Sequence, residues 1–367
     1  MLLKNLLHKE NNNLDIFRLL AALMVIYAHT YPLLPIAGKQ DPLFTLLSFE
    51  DIGGLAVKIF FFLSGLVVTN SLLTKRNVIA FVISRIFRIL PALLTVLVAT
   101  TFIIGPVVST FSLHRYFTTQ LTYVYFFKNI FLQSEFFLPG VFQSNAYTVV
   151  NGSLWTLPIE ASCYIVLATL FLIGIFRYKP LCLVVFVIII LDPIFDNHLL
   201  ITCFADKDHH STLLAPCFAF GCLLSVYKDF IKINLSLVVA TTLLYFLFRN
   251  SSYNFYFFYL CIFTFILYSS STKLCIHLKP SADVSYGIYL WSFPIQQIMI
   301  IHFAKYGILF NQVTTMLIAT GFGLISWYLI EKRCIAFGQY INKNLSVSKI
   351  FKHEKSSFIL NERTKNL

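Results

Sequence analysis

The chain is short of charge. Only 12% of its 367 residues are Asp, Glu, Lys or Arg, about half the share of a soluble domain, and the 16 acidic residues are outnumbered by 28 basic ones. With 58% apolar residues and a mean hydropathy of +0.77, this deficit excludes a soluble enzyme and defines an integral membrane protein. The eight cysteines (163, 182, 203, 217, 222, 261, 275 and 334) include no C-x-x-C pair and no zinc spacing, so neither a zinc site nor any other metal site is expected. Most lie in apolar segments and read as small core residues. No basic stripe with interleaved aromatics falls on a polar segment, so the net charge of +12 does not mark a nucleic-acid binder. The first apolar run contains Arg18 and lacks a small-residue cleavage site, which reads as a retained helix. No internal repeat is evident, which disfavours a transporter built from inverted repeats.

What is present is a series of apolar runs long enough to cross about 30 Å of hydrocarbon. Ten spans are expected, at about 14–36, 53–73, 79–107, 150–176, 181–195, 211–227, 233–248, 253–270, 284–304 and 312–334. The expected fold class is an all-α integral membrane bundle of about ten transmembrane helices with both termini cytoplasmic. Residues 1–335 form the membrane domain and residues 336–367 a basic polar tail on the anionic leaflet. In this topology 18 of the 28 Lys and Arg lie in segments on the side of the termini, six lie opposite and four fall inside helices, as the positive-inside rule requires. The longest connection, 109–148, carries "YFTTQLTYVYFFKNIFL", an aromatic-rich stretch suited to a re-entrant or interfacial element.

A charge at mid-membrane costs about 2.5–3.5 kcal/mol on insertion scales, so each needs a partner, a wet cavity or a task. Arg18 and His29 are eleven residues apart, about three helical turns and ~16 Å of rise, so they share a face at two depths. Arg85 and Arg88, three apart, share a face of the third helix. Three guanidinium groups thus fall at one depth. They either snorkel to headgroup phosphates or bind a phosphorylated ligand from the cytosol, for which guanidinium is the preferred group. Glu160, in "NGSLWTLPIEASCYIV", lies at a depth compatible with His29. The two make either a base with an orienting carboxylate or a buried polar pair that fixes packing.

Ser64, Ser153 and Cys163 are weaker candidates. None stands in a G-x-S-x-G elbow, and a Ser-Gly step is common at helix contacts. The cluster Asp206, Asp208, His209 and His210 reads as a solvated loop, and Asp192, before Pro193, as a helix terminus.

In order along the chain, Arg18-x10-His29, "GGLAVKIFFFLSGLVVTNSL", Arg85-x-x-Arg88, "VNGSLWTLPIEASCY", "SYGIYLWSFPIQQ" and "SWYLIEK" resemble the signatures of the acyltransferase-three family of integral membrane O-acyltransferases. The resemblance runs from about residue 14 to 332. Lys58 stands where many relatives have an acidic residue, and Ser292 where many have histidine, so no catalytic role carries onto either. Some relatives carry an appended esterase-like domain; here about thirty polar residues follow the last helix, so transfer by the membrane core or hand-over to a separate protein is expected.

The resemblance implies a multi-pass enzyme of the bacterial cytoplasmic membrane that moves an acyl group, foremost acetyl from acetyl-CoA, onto a hydroxyl of a surface polysaccharide or lipid-linked glycan. Arg18, Arg85 and Arg88 would hold the donor's phosphates, His29 would act as general base with Glu160, and Ser64, Trp155 and Tyr289 would line the substrate channel. The rival reading is a transporter or flippase of an anionic glycan precursor that uses His29 and Glu160 as a proton relay.

Overall fold

The computed structural model describes residues 1–36, 38–194 and 211–345. Expectations placed on the rest, namely the 206–210 cluster, Cys203, the end of the fifth span and the tail beyond 345, lie outside the described residues. Within them the chain is helical, and the β pairing is a single antiparallel bridge between Leu2 and Lys232.

The principal helices are α1 (Leu14–Leu33), α2 (Ile52–Lys75), α3 (Val78–Ala99), α4 (Thr156–Leu172), α5 (Lys179–Leu191), α6 (Leu214–Val226), α7 (Leu235–Phe248), α8 (Asn254–Ser270), α9 (Ser285–Phe303) and α10 (Gly307–Ser326). Asn or Asp side chains start several of them by accepting an otherwise unpaired backbone N–H. Asn13 caps α1 from Ile16, Asp51 caps α2 from Gly54 at 2.6 Å, Asn77 caps α3 from Ala80 and Asn234 caps α7 from Leu237.

Among the described residues five stretches are long and apolar enough to cross a membrane: Leu14–Leu33, Ile52–Lys75, Val78–Val108, Gly152–Leu172 and Ser285–Leu345. The last runs through Gly307, whose φ of +82° turns the chain from α9 into α10. The other expected spans are apolar but shorter helices. The fourth span ends at Leu172, before Gly174 takes a left-handed conformation at φ +85°. Large apolar side chains such as Leu243, Phe246 and Leu247 on α7 face outward, as they do on a lipid-facing surface.

Four contacts gather one face of the bundle. Lys4 pairs with Asp229 at 3.2 Å, Lys228 donates to Asn70 at 2.6 Å, Asn342 donates to the Ala80 carbonyl, and Lys279 donates to the Lys9 carbonyl at 2.5 Å. The start of the chain, the turns after α2, α6 and α8, and the helical end near Leu345 therefore share this face, termed the terminal face below.

Close crossings are built on glycine. A Cβ on Gly65 would strike the Phe218 carbonyl, and one on Gly221 would strike the Phe62 carbonyl, so α2 and α6 meet backbone to backbone at the Ser64-Gly65 step. Gly287 and Gly323 play the same part between α9 and α10, where a Cβ on Gly287 would lie 3.1 Å from the Gly323 Cα. The 109–148 connection forms two short helices, Leu113–Thr118 and Gln120–Ile130. It is fastened to the π-helical end of the third span by the Tyr116 hydroxyl, which donates to the Thr101 carbonyl at 2.9 Å.

Candidate active site

A cavity of about 540 Å³ enters the bundle between α1, α2, α3, α4 and α9. Its mouth lies on the terminal face, where Lys9, Asn12, Asp15, Lys279 and Asp283 line it. Arg18, Arg85 and Arg88 line the walls, so the structure brings the three arginines anticipated from the sequence into one chamber. Ser64, Glu160 and Tyr164 line the middle, while Val57, Phe60, Thr156, Leu157 and Tyr289 line the inner end.

The three arginines are not equivalent. Arg88 is bound at 2.8 Å to Asp283 and at 3.3 Å to the buried Glu331, and its guanidinium lies over the rings of Tyr286 and Trp327. Arg18 pairs with Asp15 at 3.3 Å, one turn away. Arg85 forms no ion pair among the described residues. Its guanidinium rests 5.8 Å from the Tyr164 ring centre, and its buried Nε has no hydrogen-bond partner, a state that costs free energy until an acceptor arrives. At the mouth, burial works against the Asp283 charge. Arg88 and Arg18 prevail and hold its carboxyl below the usual carboxylate range.

Glu160 is occupied inside this cavity. The Tyr164 hydroxyl donates to it, which leaves the Ser64 hydroxyl to donate to Tyr164 across 2.7 Å. This chain of Ser64, Tyr164 and Glu160 crosses from α2 to α4 beneath the inner end.

His29 is elsewhere. Arg18 is the last residue of α1 to line the cavity, and His29 lies eleven residues, about 16 Å, further along. Its ring packs edge-on against Phe293 at 5.2 Å, and its buried Nδ1 has no hydrogen-bond partner. The first turn of α2 passes close beside α1 here: a Cβ on Gly53 would lie 3.0 Å from the Ala28 Cβ and 3.2 Å from an Asp51 oxygen. The pairing of His29 with Glu160 expected from depth alone is therefore not formed in this structure. Glu160 lines the middle of the cavity and holds Tyr164, whereas His29 lies beyond the inner end.

The segment of α1 around His29 is held by amides. Gln296 on α9 donates to the Ile26 carbonyl at 2.9 Å and to the Thr30 hydroxyl at 2.6 Å, and Gln312 on α10 donates to the Tyr27 carbonyl. Gln297 donates to the Val149 and Tyr147 carbonyls, and Asn151 to the Leu290 carbonyl, tying α9 to the strand of chain that leads into α4. These amides stand in "SFPIQQ" and "VNGS", where polar side chains in apolar helices gave a signal that the sequence reading left without a role.

The other anticipated residues are distributed as follows. Ser64 and Tyr289 line the cavity, Tyr289 with its hydroxyl 2.8 Å from that of Thr156. Trp155 closes the 3-10 turn that leads into α4 and is absent from the lining. Ser292 is buried and its hydroxyl donates to the Tyr289 carbonyl. Lys58 forms a buried ion pair with Glu50 at 2.6 Å, and the Tyr259 hydroxyl also donates to Glu50. Burial raises the carboxyl of Glu50 and the neighbouring Lys58 opposes the rise. Cys163, Cys182, Cys217 and Cys222 are buried and unbridged. Among the described residues no group of three His, Cys, Asp or Glu lies together as a metal set would.

A cavity lined by three arginines and closed by mostly apolar side chains is thus set in a helical bundle, with His29 beyond its inner end. The chain belongs to the acyltransferase-three family: the family's sequence profile, described as an acyltransferase domain, matches residues 11–332. It is 30% identical over 349 residues to an "O-acetyl transferase" of Shigella phage Sf6, covering 89% of this chain and 96% of that protein. It is also 28% identical over 173 residues to "Nodulation protein 10" of Rhizobium leguminosarum bv. viciae, a match covering 44% of each. No solved structure matches the chain significantly. The protein is thus a multi-pass membrane O-acyltransferase.

Proposed function

We propose that the protein transfers an acetyl group from cytosolic acetyl-CoA to a hydroxyl of a surface or lipid-linked glycan. It works from the bacterial cytoplasmic membrane, with about ten crossings and the terminal face in the cytoplasm. The observation that carries this reading is the cavity on the terminal face, with Arg18, Arg85 and Arg88 around one chamber and the unsatisfied Nε of Arg85 among them. The donor's phosphates bind these guanidinium groups in bidentate fashion, and its pantetheine arm reaches toward Ser64, Thr156 and Tyr289. Glu160 and Tyr164 hold Ser64 and the middle of the channel in place.

His29 is the general base. With Nδ1 buried, Nε2 is the ring nitrogen that meets the acceptor and takes the proton from its hydroxyl. The hydroxyl oxygen bonds to the thioester carbon, the C–S bond breaks, and the CoA thiolate leaves toward the cytosolic side. Asp51 stabilises the imidazolium that forms. The name of the phage relative, an O-acetyl transferase, supports acetyl as the group moved.

Purified protein incubated with acetyl-labelled acetyl-CoA and a glycan acceptor tests the reading. The label should pass to the glycan as free CoA appears, whereas a carrier or flippase would leave acetyl-CoA intact.

A further inference from the structure

The cavity and the histidine do not meet. On α9 the last lining residue is Tyr289, and on α2 the outermost is Val57. Phe293, which packs on His29, stands one turn beyond Tyr289, about 6 Å further along α9. The inner end is mostly apolar, formed by Val57, Phe60, Phe61 and Leu157 with the Tyr289 ring, and the Thr156 and Tyr289 hydroxyls there bond to each other, whereas the cations gather toward the mouth. Phe60, on α2, is only partly buried and stands at this end. Its ring meets Tyr289 edge-on at 5.9 Å, and Tyr289 is pinned by its hydroxyl to Thr156 at 2.8 Å. Phe293 beyond it is backed by Gly152, where a Cβ would come 2.5 Å from the ring.

Resting on the reading of the cavity as an acyl-CoA site, we infer that Phe60, braced by Tyr289, sets the length of the acyl group. A donor whose phosphates lie among the arginines presents its acyl end to this apolar cap. An acetyl group passes the Phe60 and Tyr289 edges to reach the level of His29. Each further methylene must fit against the Phe60 ring. Tyr289 is held by Thr156, and Phe293 packs against His29 one turn beyond. The enzyme therefore takes short linear acyl groups, and Phe60 is its specificity-determining residue.

The test compares acetyl-, propionyl-, butanoyl- and hexanoyl-CoA with the full-length protein in detergent or nanodiscs and one fixed acceptor. One methylene in an apolar pocket is worth about 10–200-fold in kcat/KM. Wild type should lose at least about tenfold from acetyl to butanoyl. Phe60→Ala should recover tenfold or more of the butanoyl-to-acetyl ratio while the Kd of free CoA stays unchanged. Phe60→Leu, which keeps an apolar side chain and a smaller packing defect, should move the ratio in the same direction if the alanine variant folds poorly. A wild-type profile that is flat with length, or variant profiles parallel to wild type, would overturn the inference while leaving acetyl transfer standing. A wild-type protein that consumes none of the four donors would overturn both.

Discussion

Removing the Arg85 side chain separates ligand binding from folding in a way that removing Arg88 does not. Arg88 holds two carboxylates, and Glu331 is only 1% exposed, so Arg88→Ala strands a buried charge and should cost about 3–5 kcal/mol of stability. Arg85 has no ion pair among the described residues and one buried N–H without an acceptor, so Arg85→Ala removes an unsatisfied group and should leave stability near wild type. If the donor's phosphates accept from Arg85, each charge-assisted bond is worth about 1.5–3 kcal/mol, or roughly 10–150-fold in Kd. Calorimetric titration of CoA into detergent-solubilised protein measures the first effect, and thermal unfolding of the same samples the second. The expected pattern is weak binding with normal Tm for Arg85→Ala, and lowered Tm for Arg88→Ala. Unchanged CoA affinity in a stable Arg85→Ala protein would refute the assignment of the chamber to the donor.

Three further outcomes follow from the geometry. Asp51→Ser keeps a helix-capping oxygen but loses the charge beside His29, so kcat should fall with donor Kd unchanged; equal loss in Asp51→Glu would contradict an electrostatic role. The drop should be smaller than the roughly 100- to 10,000-fold expected for losing the base itself. Lys58→Met leaves Glu50 buried without its cation, and the carboxyl, already raised by burial, rises further. The variant should be most stable at pH values below the ordinary carboxylate range and lose stability as pH climbs through the raised folded value. Adding Glu50→Gln should flatten this dependence, read as Tm against pH. Gly221→Val drives a side chain into the Phe62 carbonyl and Leu66 amide and should lower Tm sharply, whereas Gly321→Ala, with open space around its Cβ, should leave Tm unchanged.

Much of the site was legible because charge in an apolar helix is expensive and therefore informative. Helical spacing alone gathered Arg85 with Arg88, and counting depth placed Arg18 beside them. What spacing could not give was direction around each helix relative to its neighbours. Counting along the helices suggests compatible depths for Glu160 and His29, yet Glu160 lines the middle of the cavity against Tyr164 while His29 lies beyond its inner end against Phe293 and the start of α2. Asp51 escaped notice because it precedes its helix and looks like an ordinary N-cap, which it also is. Lys58 was legible as a departure from the family pattern, but its partner Glu50 lies eight residues back across the helix start, where no periodicity points. Span counting from hydropathy was least secure where helices are short. Gly174 ends the fourth span early, and α6 and α7 are too short to count as crossings by length.

In the proposed reaction this chain acetylates a glycan through His29. This role of His29 is tested most directly by the mass of surface and lipid-linked glycans from cells carrying wild type, His29→Ala or no copy, with the two proteins matched for membrane expression. Wild type should add the mass of one acetyl group per modified site, and the other two should add none. Acetylated glycan in the His29→Ala cells at wild-type level would contradict this role of His29.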